Sequence, residues 1–181
     1  MINDVEKVLL SCDDIKEITR KLGKQITEDY QGKNLLMVSV LKGSILFMAD
    51  LMREIKVHCR IDFMSVSTYA GGLKSGGVAK ILKDLDIPIE GYDVLVVEDI
   101  LDSGVTLSYI LDLLESRNPN SIKICTLLDK PERRKSNIKA DYVGAVVPDE
   151  FVVGYGLDYD EKYRNLPFVG VLKESVYSES L

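Results

Sequence analysis

Carboxylates and a hydroxyl-rich loop lie side by side in the middle of this chain. Glu98, Asp99 and Asp102 follow the apolar run 94–97, and the small residues SGVT occupy positions 103–106, directly before a helical pattern. Unpaired backbone amides and the helix dipole make such a loop suited to a phosphate. Adjacent carboxylates that end a buried strand need a cation, hydroxyl groups or solvent. A sugar 5-phosphate with a hydrated magnesium ion satisfies both requirements better than a free anion does.

The loop also has a purely structural interpretation. Asp102 or Ser103 could act only as the N-cap of the following helix, a role that these residue types fill in many proteins without a ligand. Two common phosphate-binding motifs are absent from the sequence. Val105 stands where a GxxxxGK[ST] loop needs lysine, and no GxGxxG turn occurs.

Strand and helix patterns alternate from residue 35 to residue 128, which places the loop at the end of a strand. Continuous apolar runs predict buried strands at 35–41, 94–97 and 122–128. Apolar residues at helical spacing predict a helix at about 13–29 and a second that ends near Glu54. Further predicted elements are a helix with the apolar face 107–114 and strands at 61–67, 78–84, 142–147, 151–155 and 168–172. This order predicts an α/β fold with a mainly parallel, twisted sheet flanked by helices.

Three polar segments each begin where a buried strand ends. They are LKGS at 41–44, EDILDSGVT at 98–106 and DKPERR at 129–134. In open α/β sheets, ligands bind at the carboxyl ends of the strands. The sequence therefore predicts one shared site rather than three separate loops.

Length and composition limit the classes of function. A chain of 181 residues with 46% apolar and 29% charged residues predicts a single globular domain over 1–181. Its net charge of −6 provides no basic field, so we expect no nucleic-acid partner. Cys12, Cys59 and Cys125, with the single His58, support neither a disulfide framework nor a zinc cluster. An acidic amino terminus and the lack of a long apolar run predict a cytoplasmic protein without membrane attachment.

The stretch VVEDILDSGVT at 96–106 resembles the phosphoribosyl-diphosphate binding motif of the type I phosphoribosyltransferases. Four further segments resemble the hypoxanthine-guanine branch of that family, and together the matching segments span about residues 35–172 in the same order. They are LKGS at 41–44, TY at 68–69, LLDKPERR at 127–134 and DEFVVGYGLDYDEKYRNLP at 149–167. The resemblance implies the type I phosphoribosyltransferase fold, in which a small hood built from chain-terminal segments accompanies the main sheet.

The resemblance also implies roles for the ribose and phosphate contacts. Glu98 and Asp99 would bind the ribose hydroxyls and magnesium, and Asp158 would contribute to the base edge and to a metal site. The 5-phosphate would be held by Ser103, Gly104, Val105 and Thr106. Pyrophosphate would contact Lys42, Gly43 and Arg164, and the peptide that joins Leu41 to Lys42 can be cis in this family.

The remaining implied roles concern the purine and the lid. Asp102 would accept a proton near the purine N7, and Lys130 would bind the 6-oxo group. Phe151 would stack on the base, while Val152 would offer backbone groups to it. Thr68 and Tyr69 would belong to a lid that continues through the glycine-rich stretch to about residue 78.

Each of these residues has an ordinary structural interpretation when it is taken alone. Glu98 and Asp99 could form a solvated strand end, and LKGS could be a plain turn from strand to helix. Lys130 and Arg164 could be surface cations, and Phe151 could be a core residue. The order of the matching segments favours the functional interpretation.

The resemblance implies a purine salvage enzyme. The expected reaction is the magnesium-dependent transfer of phosphoribosyl from 5-phosphoribosyl 1-diphosphate to N9 of hypoxanthine, and of guanine, by a homodimer or homotetramer. One alternative is a regulator that keeps the fold, senses nucleotides and binds RNA or DNA. A second alternative is an enzyme that prefers xanthine, and the sequence leaves the relative use of these purines open.

Overall fold

The chain forms a six-stranded sheet with helices on both faces and a separate three-stranded sheet. The structure, a computed structural model, describes residues 1–68 and 79–178. Tyr69 and most of the predicted lid lie outside the described residues, and Thr68 is the last residue of a strand. The helices are α1 (Cys12–Asp29), α2 (Ile45–Glu54), α3 (Val105–Glu115) and α4 (Glu174–Tyr177), and 3₁₀ turns occur at Ile2–Asp4 and Pro131–Arg133.

The main sheet has the predicted, mainly parallel architecture. Its strands are β2 (Leu35–Leu41), β3 (Cys59–Thr68), β4 (Ala79–Lys83), β5 (Asp93–Leu101), β6 (Ser121–Asp129) and β7 (Tyr142–Val146). They follow the spatial order β4-β3-β2-β5-β6-β7, and all neighbours are parallel except the pair β3 and β4. β2 and β5 therefore lie next to each other and end at the same edge.

Two apolar layers cover the sheet, as continuous apolar strands require. α1 and α2 cover one face, where Ile26 and Phe47 are fully buried. α3 covers the other face through Leu107, Ile110 and Leu114. α1 begins with a capping box in which the Ser11 side chain accepts from the Asp14 amide.

β5 continues beyond the apolar run that predicted it. Its pairing with β6 extends from Asp93 opposite Ser121 to Leu101 opposite Asp129. Glu98 and Asp99 therefore lie within the strand rather than after its end. Backbone hydrogen bonds to β6 hold this polar end in strand conformation after the apolar pattern has stopped.

A second sheet confirms the expected hood of chain-terminal segments. It consists of β1 (Val5–Leu10), β9 (Val169–Leu172) and β8 (Val152–Val153) in that order, and both pairs are antiparallel. The strand predicted at 151–155 is shorter than expected because positive φ angles at Gly154 and Tyr155 turn the chain. No helix in the described ranges combines the length and apolar composition needed to cross a bilayer.

Candidate active site

Two adjoining cavities lie at the carboxyl ends of β2, β5 and β6. We call the first the phosphate cleft; it has a volume of about 360 Å³ and is lined by residues 40–43, 98–104, 106 and 107, with Val66, Asp158 and Arg164. The Val105 side chain is exposed and does not line it. We call the second the base pocket; it has a volume of about 350 Å³ and is lined by Ile100, Asp102, Lys130, Arg133, residues 149–152, Leu157 and Tyr177. Ile100 and Asp102 line both cavities. The structure thus brings the three polar segments together at one edge of the sheet.

The predicted phosphate loop turns sharply at Gly104, the N-cap of α3. Gly104 has a φ of 76°, in the left-handed region that favours glycine, and no side chain caps the helix. The interpretation of Asp102 or Ser103 as the N-cap is therefore wrong. The Ser103 hydroxyl instead accepts a long hydrogen bond of 3.4 Å from the Val105 amide. Thr106 lines the same cleft, so hydroxyls and the first-turn amides of α3 face one space.

Glu98 and Asp99 form a partly buried carboxylate pair whose acidity is weakened. Burial, followed by the charge of Asp99, raises the pKa of Glu98 well above its ordinary value. Burial also raises the pKa of Asp99 to about 6, although the Ile100 amide donates to its Oδ1 at 2.8 Å. Both shifts come mainly from burial, and the charge of Arg164 offsets only part of the shift at Asp99.

A magnesium ion fits this pair when substrate oxygens and water complete its coordination. Magnesium usually binds through one or two carboxylates together with substrate phosphates and water. Within residues 1–68 and 79–178, no group of three or more acidic, histidine or cysteine side chains is arranged to hold a metal by itself. Asp158, the third predicted metal residue, lines the same cleft, and its carboxylate accepts from Arg164 Nη1 at 2.9 Å.

Close backbone packing joins the predicted pyrophosphate loop to the acid pair. A Cβ atom built on Gly43 would lie 2.7 Å from Asp99 Cγ and would overlap Oδ2. A Cβ atom on Gly156 would overlap the Gly43 carbonyl oxygen. Only glycine fits at either position without displacing a neighbour. The peptide that joins Leu41 to Lys42, just before this contact, is cis.

Cations at this end of the cleft already have acidic partners. Lys42 Nζ donates to Glu161 at 3.0 Å, and both side chains are largely exposed. Arg164 donates to the Gly156 carbonyl at 2.8 Å and pairs with Asp158, while its Nε is buried without a hydrogen bond in the described structure. Both cations are therefore paired with acids, Lys42 at the exposed surface and Arg164 in a partly buried position.

The base pocket contains a buried lysine and an exposed phenyl ring. Lys130 is only 4% exposed, and its Nζ donates to the Glu150 carbonyl at 2.8 Å. An ammonium group has three donors, so two remain for a ligand. Phe151 is 39% exposed, which leaves ring surface for stacking. Val152 is buried beside it in β8.

Sequence reasoning missed the aromatic support of Phe151. The ring of Tyr177 in α4 stacks on Phe151 with 5.1 Å between centroids and an interplanar angle of 25°. Tyr159 meets the same ring edge-on at 5.6 Å. The acidic carboxyl-terminal sequence gave no periodic signal for α4, and the spatial contact could not be inferred from residue order.

Two arginines next to Lys130 were also missed as site residues. Arg133 Nε lies 3.4 Å from Asp102 Oδ1, and its Nη1 lies 3.6 Å from Asp149 Oδ1. Arg134 points away from the base pocket and donates to the carbonyl oxygen of Asp102 at 2.9 Å. Both belong to the charged segment DKPERR, but their charge alone does not distinguish these two roles.

Comparisons with known proteins agree with this geometry. A family model described as phosphoribosyl transferase domain matches residues 9–160. The chain is 58% identical over 178 residues to the hypoxanthine-guanine phosphoribosyltransferase of Staphylococcus aureus strain Mu50, with 98% of this chain and 99% of that protein covered. A crystal structure of a hypoxanthine phosphoribosyltransferase from S. aureus, 58% identical, matches with a TM-score of 0.94 over 98% of this chain and 96% of that chain.

A longer relative contains the same unit. Over 179 residues, which cover 99% of this chain, the identity to the bifunctional protein TilS/HprT of Listeria monocytogenes serotype 4b strain F2365 is 55%. The chain spans 28% of the length of that protein.

Proposed function

The chain belongs to the phosphoribosyltransferase family, and we propose that it is a purine salvage enzyme that transfers phosphoribosyl from 5-phosphoribosyl 1-diphosphate to N9 of hypoxanthine and of guanine. The products are inosine or guanosine monophosphate and pyrophosphate. One observation carries the proposal: Asp102 and Ile100 line both the phosphate cleft and the base pocket. A sugar in the first cavity and a purine in the second would meet at this junction, where the new bond must form.

The phosphate cleft provides separate contacts for the two ends of the activated ribose. Residues 103–106 and the amino terminus of α3 bind the 5-phosphate. Glu98 and Asp99 accept hydrogen bonds from the ribose hydroxyls, and Lys42, the Gly43 amide and Arg164 bind pyrophosphate. Magnesium, which these acids and the bound pyrophosphate would hold, offsets negative charge on the leaving group.

The reaction exchanges one bond at C1 of the ribose for another. The bond from C1 to the pyrophosphate oxygen breaks, and the lone pair of purine N9 forms the new bond to C1. The purine then loses its N7 proton, for which the Asp102 carboxylate is the acceptor. Catalysis rests on positioning and on electrostatic stabilisation of charge at both ends of the breaking bond.

Base selection follows from the donors and rings of the base pocket. Lys130 offers only donors, so it accepts a 6-oxo purine and rejects the 6-amino group of adenine. Phe151 stacks on the base, and the backbone of Val152 meets its pyrimidine edge. Asp158 contributes to the base edge and to the metal site. Because backbone groups make the contacts at the 2-position, hypoxanthine and guanine both fit.

A purine panel tests this proposal directly. Purified protein with magnesium and 5-phosphoribosyl 1-diphosphate should convert hypoxanthine and guanine to nucleotides, while adenine gives no product. Chelation of magnesium should abolish product formation. Lack of inosine monophosphate at micromolar enzyme would refute the proposed activity, and a higher kcat/KM for xanthine than for hypoxanthine would identify the xanthine-preferring alternative.

The proposal includes a cytoplasmic location and a homodimer or homotetramer. The three cysteines have no disulfide partner, which suits a reducing compartment. Sedimentation of the purified protein measures the oligomeric state. The nucleic-acid-binding regulator is not favoured, because the chain is acidic and retains Asp102, Lys130, Phe151 and Asp158.

A further inference from the structure

We propose that Arg134 is a positioning residue that holds Asp102 in its reactive orientation from the side opposite the substrates. The inference rests on the proposed function, in which Asp102 accepts the purine proton. It assigns no substrate contact to Arg134. The role is carried by hydrogen bonds that end on the backbone around Asp102.

One guanidinium group connects the ends of two parallel strands. Arg134 Nε donates to the Asp102 carbonyl at 2.9 Å, and Nη2 donates to the Leu101 carbonyl at 3.2 Å, at the end of β5. Nη2 also donates to the Asp129 carboxylate at the end of β6. Nη1 donates to the Ile138 carbonyl at 2.6 Å. Four of the five N–H donors of Arg134 are thus used on four acceptors, and the fixed fork geometry of these donors is one that a lysine cannot reproduce.

The residues that follow Arg134 support the next part of the loop. The Lys135 amide donates to the Ser103 carbonyl at 2.9 Å, and the Ser136 hydroxyl lies 3.4 Å from the same oxygen. A Cβ atom on Gly104 would overlap Ser136 Oγ and would lie 3.2 Å from Arg134 Cδ. Segment 134–136 therefore packs directly behind the backbone that carries both Asp102 and the phosphate loop.

The Asp102 side chain depends on this backbone support. Its Oδ1 is buried and has no hydrogen bond in the described part of the chain, and the nearby Arg133 Nε contact at 3.4 Å involves a half-exposed side chain. A catalytic carboxylate without a fixed side-chain partner takes its direction from the peptide that carries it. Arg134 fixes the carbonyls of Leu101 and Asp102, which belong to the two peptides on either side of the Asp102 Cα.

Open space behind Arg134 makes this support necessary. A cavity of about 680 Å³ is lined by Asp129, Pro131, Arg134, Asn137, Ile138, Lys139 and Ala140. If the guanidinium is lost, the loop that carries Asp102 can relax toward this cavity. A shift of about 1 Å in a catalytic group costs on the order of 100-fold in rate.

The test is a double-mutant cycle between Arg134→Lys and Asp102→Asn. Arg134→Lys keeps the charge but loses the planar fork, and it should lower kcat roughly 10- to 100-fold while both KM values stay near those of the wild type. In an Asp102→Asn background the same change should have little further effect on kcat, because the group that Arg134 positions has been removed. An unchanged kcat, or an equal fold-loss in both backgrounds, would overturn the proposal.

Matched controls separate positioning from general damage. Arg117 makes two hydrogen bonds to the Asp84 carboxylate, at 2.8 and 2.7 Å, and neither residue lines the phosphate cleft or the base pocket, so Arg117→Lys should leave kcat unchanged. Asp129→Asn keeps Arg134 but weakens its ion pair, and it should show the same non-additivity if Arg134→Lys fails to fold. Wild-type protein without inosine monophosphate production would refute the proposed function, whereas an active wild type with an unimpaired Arg134→Lys variant would refute only this role.

Discussion

A single methyl group at Gly43 tests whether the pyrophosphate loop and the acid pair work as one unit. Gly43 is buried, and a Cβ atom built there lies 2.7 Å from Asp99 Cγ and overlaps Oδ2. Carbon atoms pack best at about 3.5 to 4.0 Å, so Gly43→Ala must push the Asp99 carboxyl group back by about 1 Å. The backbone at Gly43 does not have a positive φ, so the substitution acts through this contact rather than through local backbone strain.

The displacement should reduce turnover much more than it reduces stability. A shift of about 1 Å in a positioning group costs on the order of 100-fold in rate, which corresponds to about 2.7 kcal/mol of transition-state stabilisation. Overpacking at one site usually costs about 1 to 3 kcal/mol in the free energy of unfolding. We therefore expect kcat/KM for 5-phosphoribosyl 1-diphosphate to fall about 100-fold in a protein that still melts cooperatively.

Initial rates at varied 5-phosphoribosyl 1-diphosphate and magnesium measure this effect, with thermal melting as the control for folding. Asp99→Ala removes the group that the new methyl would displace. In that background Gly43→Ala should add little to the loss of activity. Wild-type kcat/KM in Gly43→Ala, or a full multiplicative loss in the double variant, would show that the Gly43 contact with Asp99 does not position the acid.

Two further predictions concern stability and base binding. The pKa of Asp99 is raised to about 6 in the folded protein, so between about pH 4 and 6 the folded state binds a proton that the unfolded state does not. Above pH 6 the folded, unliganded protein must bury an ionised Asp99, which lowers its free energy of unfolding. At pH 7 the free energy of unfolding of Asp99→Asn should therefore exceed that of the wild type by roughly 2 to 3 kcal/mol, and the variant should melt at a higher temperature. The difference should shrink toward pH 4, and a constant difference over this pH range would contradict the prediction. Tyr177→Ala should raise the KM for hypoxanthine roughly 3- to 10-fold, because it removes a stacked pair worth about 0.5 to 1.5 kcal/mol. Tyr177→Phe keeps the ring and should behave like the wild type, and an unchanged KM in Tyr177→Ala would exclude a supporting role for this ring.

Strands buried on both faces were the most predictable part of the fold. β2 begins and ends at the residues that its apolar run indicated, 35 and 41, because burial alone selects those side chains. β1 (Val5–Leu10) was not predicted, since its sequence VEKVLL does not alternate cleanly. Its partner β9 lies more than a hundred residues away, so only long-range pairing defines it as a strand. The local sequence of residues 5–10 does not indicate which distant segment they pair with.

At the site, too, features set by local sequence were predictable, whereas features set by contacts between distant segments were not. The structure places residues predicted at strand ends, such as Asp99 and Asp102, in the phosphate cleft, because polar residues at the carboxyl ends of parallel strands share one edge of the sheet. The role of Asp102 as proton acceptor stays a prediction that rests on the family resemblance. Arg134 was not found, because its side chain points away from the ligand space and its role depends on which carbonyls the fold places around it. The tight contact between Gly43 and Gly156 was hidden for the same reason, since it joins segments more than a hundred residues apart.

The acid pair beside the phosphate loop can be understood from the charges of the phosphate cleft. Among the residues that the structure describes, four acids line the cleft, at 98, 99, 102 and 158, together with the two cations Lys42 and Arg164, which are already paired with acidic groups. A free polyanion would gain little attraction from such a site. Burial is the main cause of the raised pKa of Asp99 and of Glu98, and the like charge of a neighbouring acid adds to each shift. A substrate that brings a divalent cation together with its phosphates would supply positive charge to these acids, so we expect the site to prefer the metal complex of the activated ribose to the free anion.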